Sequence, residues 1–77
     1  MVETDLKKIL AYNVRSARIA MGISQDELAH LSGLHRTYVG GVERAERNIS
    51  VNSLAKLACA LNADPAALLR AVEAEDG

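Results

Sequence analysis

At 77 residues the chain has the length of one domain with a modest core, a size at which folds are often strengthened by a partner. Trp and Phe are absent and Leu, Ile, Val and Ala dominate, so packing must come from aliphatic contacts; one Pro and five Gly leave no low-complexity tract. A net charge of −1 excludes a bulk polycation, one Cys excludes an internal disulfide, and no run approaches the ~20 apolar residues of a membrane span.

The charge is unevenly placed. Residues 7–56 hold eight Lys or Arg against four acids, while the rest of the chain holds Arg70 against six. That asymmetry suits a protein with one face for nucleic acid and another for something else. Glu3 and Asp5 stand where a signal peptide would have basic residues and an apolar run, so a cytoplasmic location is expected. No internal repeat is present.

Leu6, Leu10, Val14, Ala17 and Met21 draw one stripe on a first helix, capped by Thr4 or Asp5 and ended by Gly22. Ser24 and Glu27 form the signature of a capping box that opens a second helix, with Leu28, Ala29 and Leu31 as its buried side. Gly33 marks a sharp turn with a left-handed backbone, and Leu34 plugs that turn into the core. A third helix follows with Val39 and Val42 as its inward seam. Arg36, Thr37, Gly40, Gly41 and Arg44 are left outward, a set suited to DNA edges and phosphates.

Gly40 and Gly41 should cost that helix about 1–2 kcal/mol relative to two alanines, so close approach to the second helix or to DNA is expected there. Ser50 caps a fourth helix whose stripe is Val51, Leu54, Leu57, Ala58 and Leu61. Asp64-Pro65 starts a fifth that runs through Leu68, Leu69 and Val72 into an acidic tail at 73–77. No stretch alternates as a strand would. The expected fold is all-α: a single domain over 1–77, with its core at about 6–72.

Gln25, Leu28-Ala29, Gly33, Leu34, Val39, Val42 and Glu43 stand as in the helix-turn-helix of the Cro and phage-repressor, or XRE, family, which the chain resembles. Arg15 and Arg18 ahead of Gly22-Ile-Ser-Gln, the run Glu43-Arg-Ala-Glu-Arg-Asn48, and Leu54 to Leu69 extend the likeness to roughly residues 6–70. The stretch His35-Arg-Thr-Tyr-Val-Gly-Gly-Val-Glu-Arg44 is also similar to small controller proteins of restriction–modification systems.

The resemblance implies a compact five-helix bundle of the lambda-repressor-like type, with helices two and three as the helix-turn-helix. It implies a transcriptional regulator whose third helix enters the major groove of double-stranded DNA. Arg36 and Thr37 would read base edges; a reading position one turn on falls at Gly41, which has no side chain to use. Gln25 would clamp a phosphate at the start of the second helix. Ser24, Tyr38, Arg44, Arg47 and Asn48 are further candidates for phosphate contact, and His35 would cap the third helix or reach a phosphate. Arg18 and Glu43 would form a structural ion pair joining helices one and three.

A homodimer on a near-palindromic operator is implied, with recognition helices ~34 Å apart. Leu61, Ala63, Ala66, Ala67, Leu69 and Ala71 supply apolar area for its interface. Activation would require contact with RNA polymerase; repression would require only an overlapping site. The controller-protein likeness implies autoregulation and control of a restriction gene.

Two other classes compete. An enzyme lacks its parts: Cys59 follows Ala58 and reads as a buried, inert thiol, His30 and His35 have no metal-ligand array, and no phosphate-binding glycine loop exists. No cofactor, metal or small-molecule ligand is therefore expected. An antitoxin or adaptor would use the acidic, Ala-rich C-terminal part to hold another protein. Arg36, Thr37 and Gln25 favour DNA, because a pure adaptor has no need of them.

Overall fold

The computed structural model describes residues 5–71. Five helices follow one another: α1 (Leu6–Met21), α2 (Gln25–Ser32), α3 (Arg36–Glu43), α4 (Val51–Ala60) and α5 (Pro65–Leu68). No strand occurs among the described residues. The all-α, five-helix expectation is met. Thr4, Val72 and the acidic tail lie outside the described residues.

Side-chain caps start four of the helices. Asp5 accepts from the Lys7 amide at 3.0 Å, and Ser50 and Asp64 do the same for Ser53 and Ala66. At α2 the capping box is complete: Ser24 Oγ accepts from the Glu27 amide at 3.0 Å, and Glu27 Oε1 accepts from the Ser24 amide at 2.9 Å. Each satisfies an amide that the helix itself leaves without a partner.

Four helices end in one way. The residue after the last turn is left-handed, and its amide and the next one bond back to carbonyls of the final turn, as at Gly33 and Leu34 on His30 and Ala29. Gly22, Gly33, Ala45 and Asn62 hold these four positions, with φ of 71°, 73°, 60° and 53°. Ala45 is the exception in chemistry. Its Cβ makes the left-handed backbone costly, and no glycine in the sequence announces where α3 stops.

Val14, Leu28, Val39, Val42 and Leu57 are the most deeply buried of the large side chains, so every helix from α1 to α4 sends at least one residue to a common centre. Leu68 brings α5 onto the same core. Three expected stripes need correction. Leu6 is 58% exposed and Met21 is also exposed, while Ile9 and Ala11 are buried. Fifteen residues from Leu6 to Met21 advance four turns and about 60° more, so the ends of the stripe rotate off the core.

On α2, Leu31 is 55% exposed and Ser32 is buried in its place, its hydroxyl donating to the Ala29 carbonyl at 3.2 Å. The buried arc runs from Leu28 to Ala29, with Ser32 between them; Leu31 falls outside it. On α4, Val51 is 83% exposed at the first turn, and Cys59, expected to be buried, is exposed. Cys59 lies two residues beyond Leu57, nearly opposite it around the helix.

The last helix is shorter than expected. α5 ends at Leu68, and the chain beyond it does not continue through Leu69 as a helix. Asn13 of α1 fixes this end: its Nδ2 donates to the carbonyls of Leu68 at 2.8 Å and Arg70 at 2.9 Å. One amide thereby ties the C-terminal segment to the first helix.

Candidate nucleic-acid interface

The α2–turn–α3 unit is held from beneath by an ion pair. Arg18 Nε donates to Glu43 Oε2 at 2.7 Å and a terminal nitrogen donates to Oε1 at 3.0 Å, a bidentate fork. The Glu43 side chain is only 3% exposed. The other terminal nitrogen of Arg18 donates to the Ile23 carbonyl at 2.9 Å, just ahead of α2. The hydrogen bonds that Arg18 donates to Glu43, together with the carboxylate's charge, raise the Arg18 pKa above the ordinary arginine value against the effect of burial. The pair implied by the family resemblance is present.

Gln25 joins this network rather than standing free. Its Nε2 donates to Glu43 Oε1 at 3.1 Å, so the side chain expected to clamp a phosphate also links α2 to α3. Ser24 is a cap whose hydroxyl proton remains available to an acceptor. His35 occupies the cap position of α3 but makes no side-chain capping bond; the expected cap is absent, and α3 begins without one.

Arg36 and Thr37 are exposed at the first turn of α3, as expected. Arg36 has a partner that sequence reasoning missed: its Nε lies 2.8 Å from Asp26 Oδ1 across the α2–α3 elbow, with the two side chains 65% and 73% exposed. Asp26 was legible only as an acid in the first turn of a helix, where the macrodipole favours it.

Gly40 and Gly41 are not outward-facing. Both are buried, because side chains from the following loop lie over them. A Cβ on Gly40 would stand 3.0 Å from a terminal nitrogen of Arg44 and 3.6 Å from Gln25 Oε1. A Cβ on Gly41 would stand 2.8 Å from Arg47 Cγ. The expected approach to the second helix is made only at Gly40, by Gln25; the nearest atoms at both glycines belong instead to Arg44 and Arg47, from the end of α3 and the loop after it. From its seat over Gly41, Arg47 places its guanidinium 5.5 Å from the centroid of the Tyr38 ring.

Arg44 pairs with Glu46 at 3.0 Å, both exposed. Asn48 is exposed in the same loop. Arg36, Arg44 and Arg47 thus surround the start and end of α3, each resting on a neighbour that limits where its charge can point.

The expected interface residues divide. Leu61 is a buried core residue and unavailable to a partner: it closes α4 on the same face as Leu54 and Leu57. Ala66 is exposed, while Ala63, Ala67, Leu69 and Ala71 are half-buried. Leu69 also borders a groove of about 270 Å³ with Leu6, Leu10, Ile49, Val51 and Leu54. Among the described residues no group of three or more His, Cys, Asp or Glu could hold a metal, and no helix is long and apolar enough to cross a membrane.

A helix-turn-helix family model matches residues 14–68. The control protein C.SmaI of Serratia marcescens is 55% identical over 65 residues, which are 84% of this chain and 77% of that protein. The crystal structure of the restriction–modification controller protein C.AhdI from Aeromonas hydrophila superposes with a TM-score of 0.78 at 48% identity, covering 80% of this chain and 94% of that one. The controller protein C.Esp1396I, crystallised as a tetramer on its natural 35-base-pair operator, superposes with a TM-score of 0.77 at 30% identity, over 86% and 87% of the two chains. The chain belongs to the helix-turn-helix family, among the controller proteins of restriction–modification systems.

Proposed function

We propose that this chain is a sequence-specific transcriptional regulator that binds double-stranded DNA as a homodimer, governing its own gene and a restriction gene from the cytoplasm. The carrying observation is the exposed Arg36–Thr37 pair on the first turn of a helix whose angle is set by a part-buried Arg18–Glu43–Gln25 network. With α3 in the major groove, Arg36 donates to guanine O6 and N7, and Thr37 bonds an edge atom or presses its methyl against thymine.

Phosphates are contacted from both flanks. On one side stand the free amides at the start of α2, the Ser24 hydroxyl and Gln25; on the other stand Tyr38, Arg44, Arg47 and Asn48, with His35 at the elbow. Gly41 reads no base itself. It makes room for Arg47 to lie along α3. Ala63, Ala66, Ala67 and Leu69 are the proposed dimer surface, and the operator complex of C.Esp1396I supports an oligomer on DNA.

Selection from a random duplex pool at near-physiological salt tests the reading, with the Arg36→Ala/Thr37→Ala double variant as control. Enrichment of a two-fold-symmetric site by the wild type alone is the expected result. A folded wild type that enriches nothing overturns it and turns attention to a protein partner.

A further inference from the structure

We infer that Asp26 is a positioning residue for DNA reading: it holds Arg36 so that the arginine's terminal fork, and not its whole rotamer range, meets the bases. This rests on the proposed DNA-reading function.

The first turn of α2 offers four side chains, and three are occupied by the scaffold. Ser24 and Glu27 close the capping box on each other's amides, and Gln25 donates to Glu43. Asp26 alone reaches the start of α3, to the residue with which that helix begins. The turn between them is fixed by the left-handed Gly33 and by the return of the Gly33 and Leu34 amides to α2, so the two backbone origins are set relative to each other.

The closest contact of the ion pair is at Nε, 2.8 Å from the carboxylate. A guanidinium has a side edge that includes Nε and an end edge formed by its two terminal nitrogens. Engaging Nε leaves the end edge free. Two parallel donors on that edge match two adjacent acceptors, which among bases in the major groove only guanine presents. Adenine offers one acceptor beside a donor and cannot satisfy the fork.

Stability does not explain the pair. Both partners are mostly exposed, and such surface ion pairs contribute little to folding. Electrostatics near DNA points the same way. A carboxylate beside the groove is repelled by phosphates unless a cation accompanies it, and an arginine without a partner is drawn to any phosphate within reach. Paired, the two are neutral together, and what remains of Arg36 is a direction.

The test uses the duplex that the wild type enriches from the random pool and a panel carrying every single base-pair change in one half-site. Binding of wild type, Asp26→Ala, Arg36→Ala and the double variant is measured at one fixed salt concentration. A well-oriented arginine–guanine fork confers roughly 5- to 150-fold preference, of which Asp26→Ala should lose about three- to tenfold, at one base pair only. Melting temperature should fall by no more than a few degrees, the loss of an exposed acid from the start of α2, and in the Arg36→Ala background the further change at Asp26 should alter no preference.

Preference unchanged at every position overturns the inference. So does an equal loss at all positions, which is the mark of a structural role, and so does an effect that persists without Arg36, which would make Asp26 a reader itself. A wild type that discriminates at no position fails the DNA-reading function instead.

Discussion

Arg18 on α1 and Glu43 at the end of α3 meet through a two-bonded fork of 2.7 and 3.0 Å, inside a network that also takes in Gln25 and the Ile23 carbonyl. Three segments are locked to one carboxylate. Removing that carboxylate leaves a largely buried guanidinium without a counter-charge, which typically costs about 3–5 kcal/mol. Glu43→Ala should therefore lower the melting temperature by more than about 10 °C in a domain this small. An unchanged melting curve would remove the pair from the account of how α3 is held. Because the Arg18 pKa is raised, its contribution is fully present below the ordinary arginine pKa and is lost only as pH rises through the raised one. The Arg18 contribution should thus be flat across neutral pH.

The two adjacent glycines of α3 should respond differently to alanine. At Gly40 the new Cβ meets the far end of Arg44, which can swing away, so Gly40→Ala should stabilise the helix by up to about 1 kcal/mol. At Gly41 the Cβ meets Arg47 near its root, at 2.8 Å. Gly41→Ala should gain less stability and should displace Arg47 from Tyr38. Urea denaturation and tyrosine fluorescence of the two variants measure this contrast; equal behaviour would deny that Arg47 rests on Gly41.

Ala45 ends α3 in a left-handed conformation, where glycine carries no Cβ penalty. Ala45→Gly should raise stability by about 1 kcal/mol, the steric cost outweighing the greater freedom of glycine in the unfolded chain. Chemical denaturation decides it, and a loss of similar size would show that the turn is not strained.

Asn13 serves the carbonyls at the end of α5. Asn13→Ala should cost about 1–2 kcal/mol and should free the C-terminal segment before the rest of the fold. Hydrogen exchange resolved by residue is the informative measurement: amides of Leu68 to Arg70 should lose protection while those of α2 and α3 keep theirs. Uniform loss would contradict a local role.

On α4, one face carries stability and the other does not. Leu57→Ala should cost about 2–5 kcal/mol, because Leu57 is fully buried. Val51→Ser, at the exposed first turn, should change folding by no more than about 0.5 kcal/mol. A drop in self-association for Val51→Ser, by sedimentation, would enlarge the dimer surface to include the groove beside Leu69.

Much of the architecture is local, and local rules read it from residues alone. Ser24 with Glu27, Ser50, Asp64-Pro65, Gly22 and Gly33 name the ends of helices because each acts on amides or carbonyls only a few residues away. The pairing of Val39 with Val42 follows from the 3.6-residue period over one turn, a span too short for drift. Over fifteen residues the period misleads, and Leu6 and Met21 leave the core that their spacing suggested.

Other features depend on residues that meet only once the chain has closed. Arg36 with Asp26 and Asn13 beneath α5 are contacts between segments whose relative placement no local pattern encodes. Local patterning sets where the helices begin, where most of them end, and which short helix exposes Arg36 and Thr37. Packing of the whole chain makes Leu61 core and Cys59 surface, and it brings Arg36 to Asp26. The division is one of range: capping and turn energies act within a few residues, whereas burial and ion pairing are set by distances in space that only packing fixes.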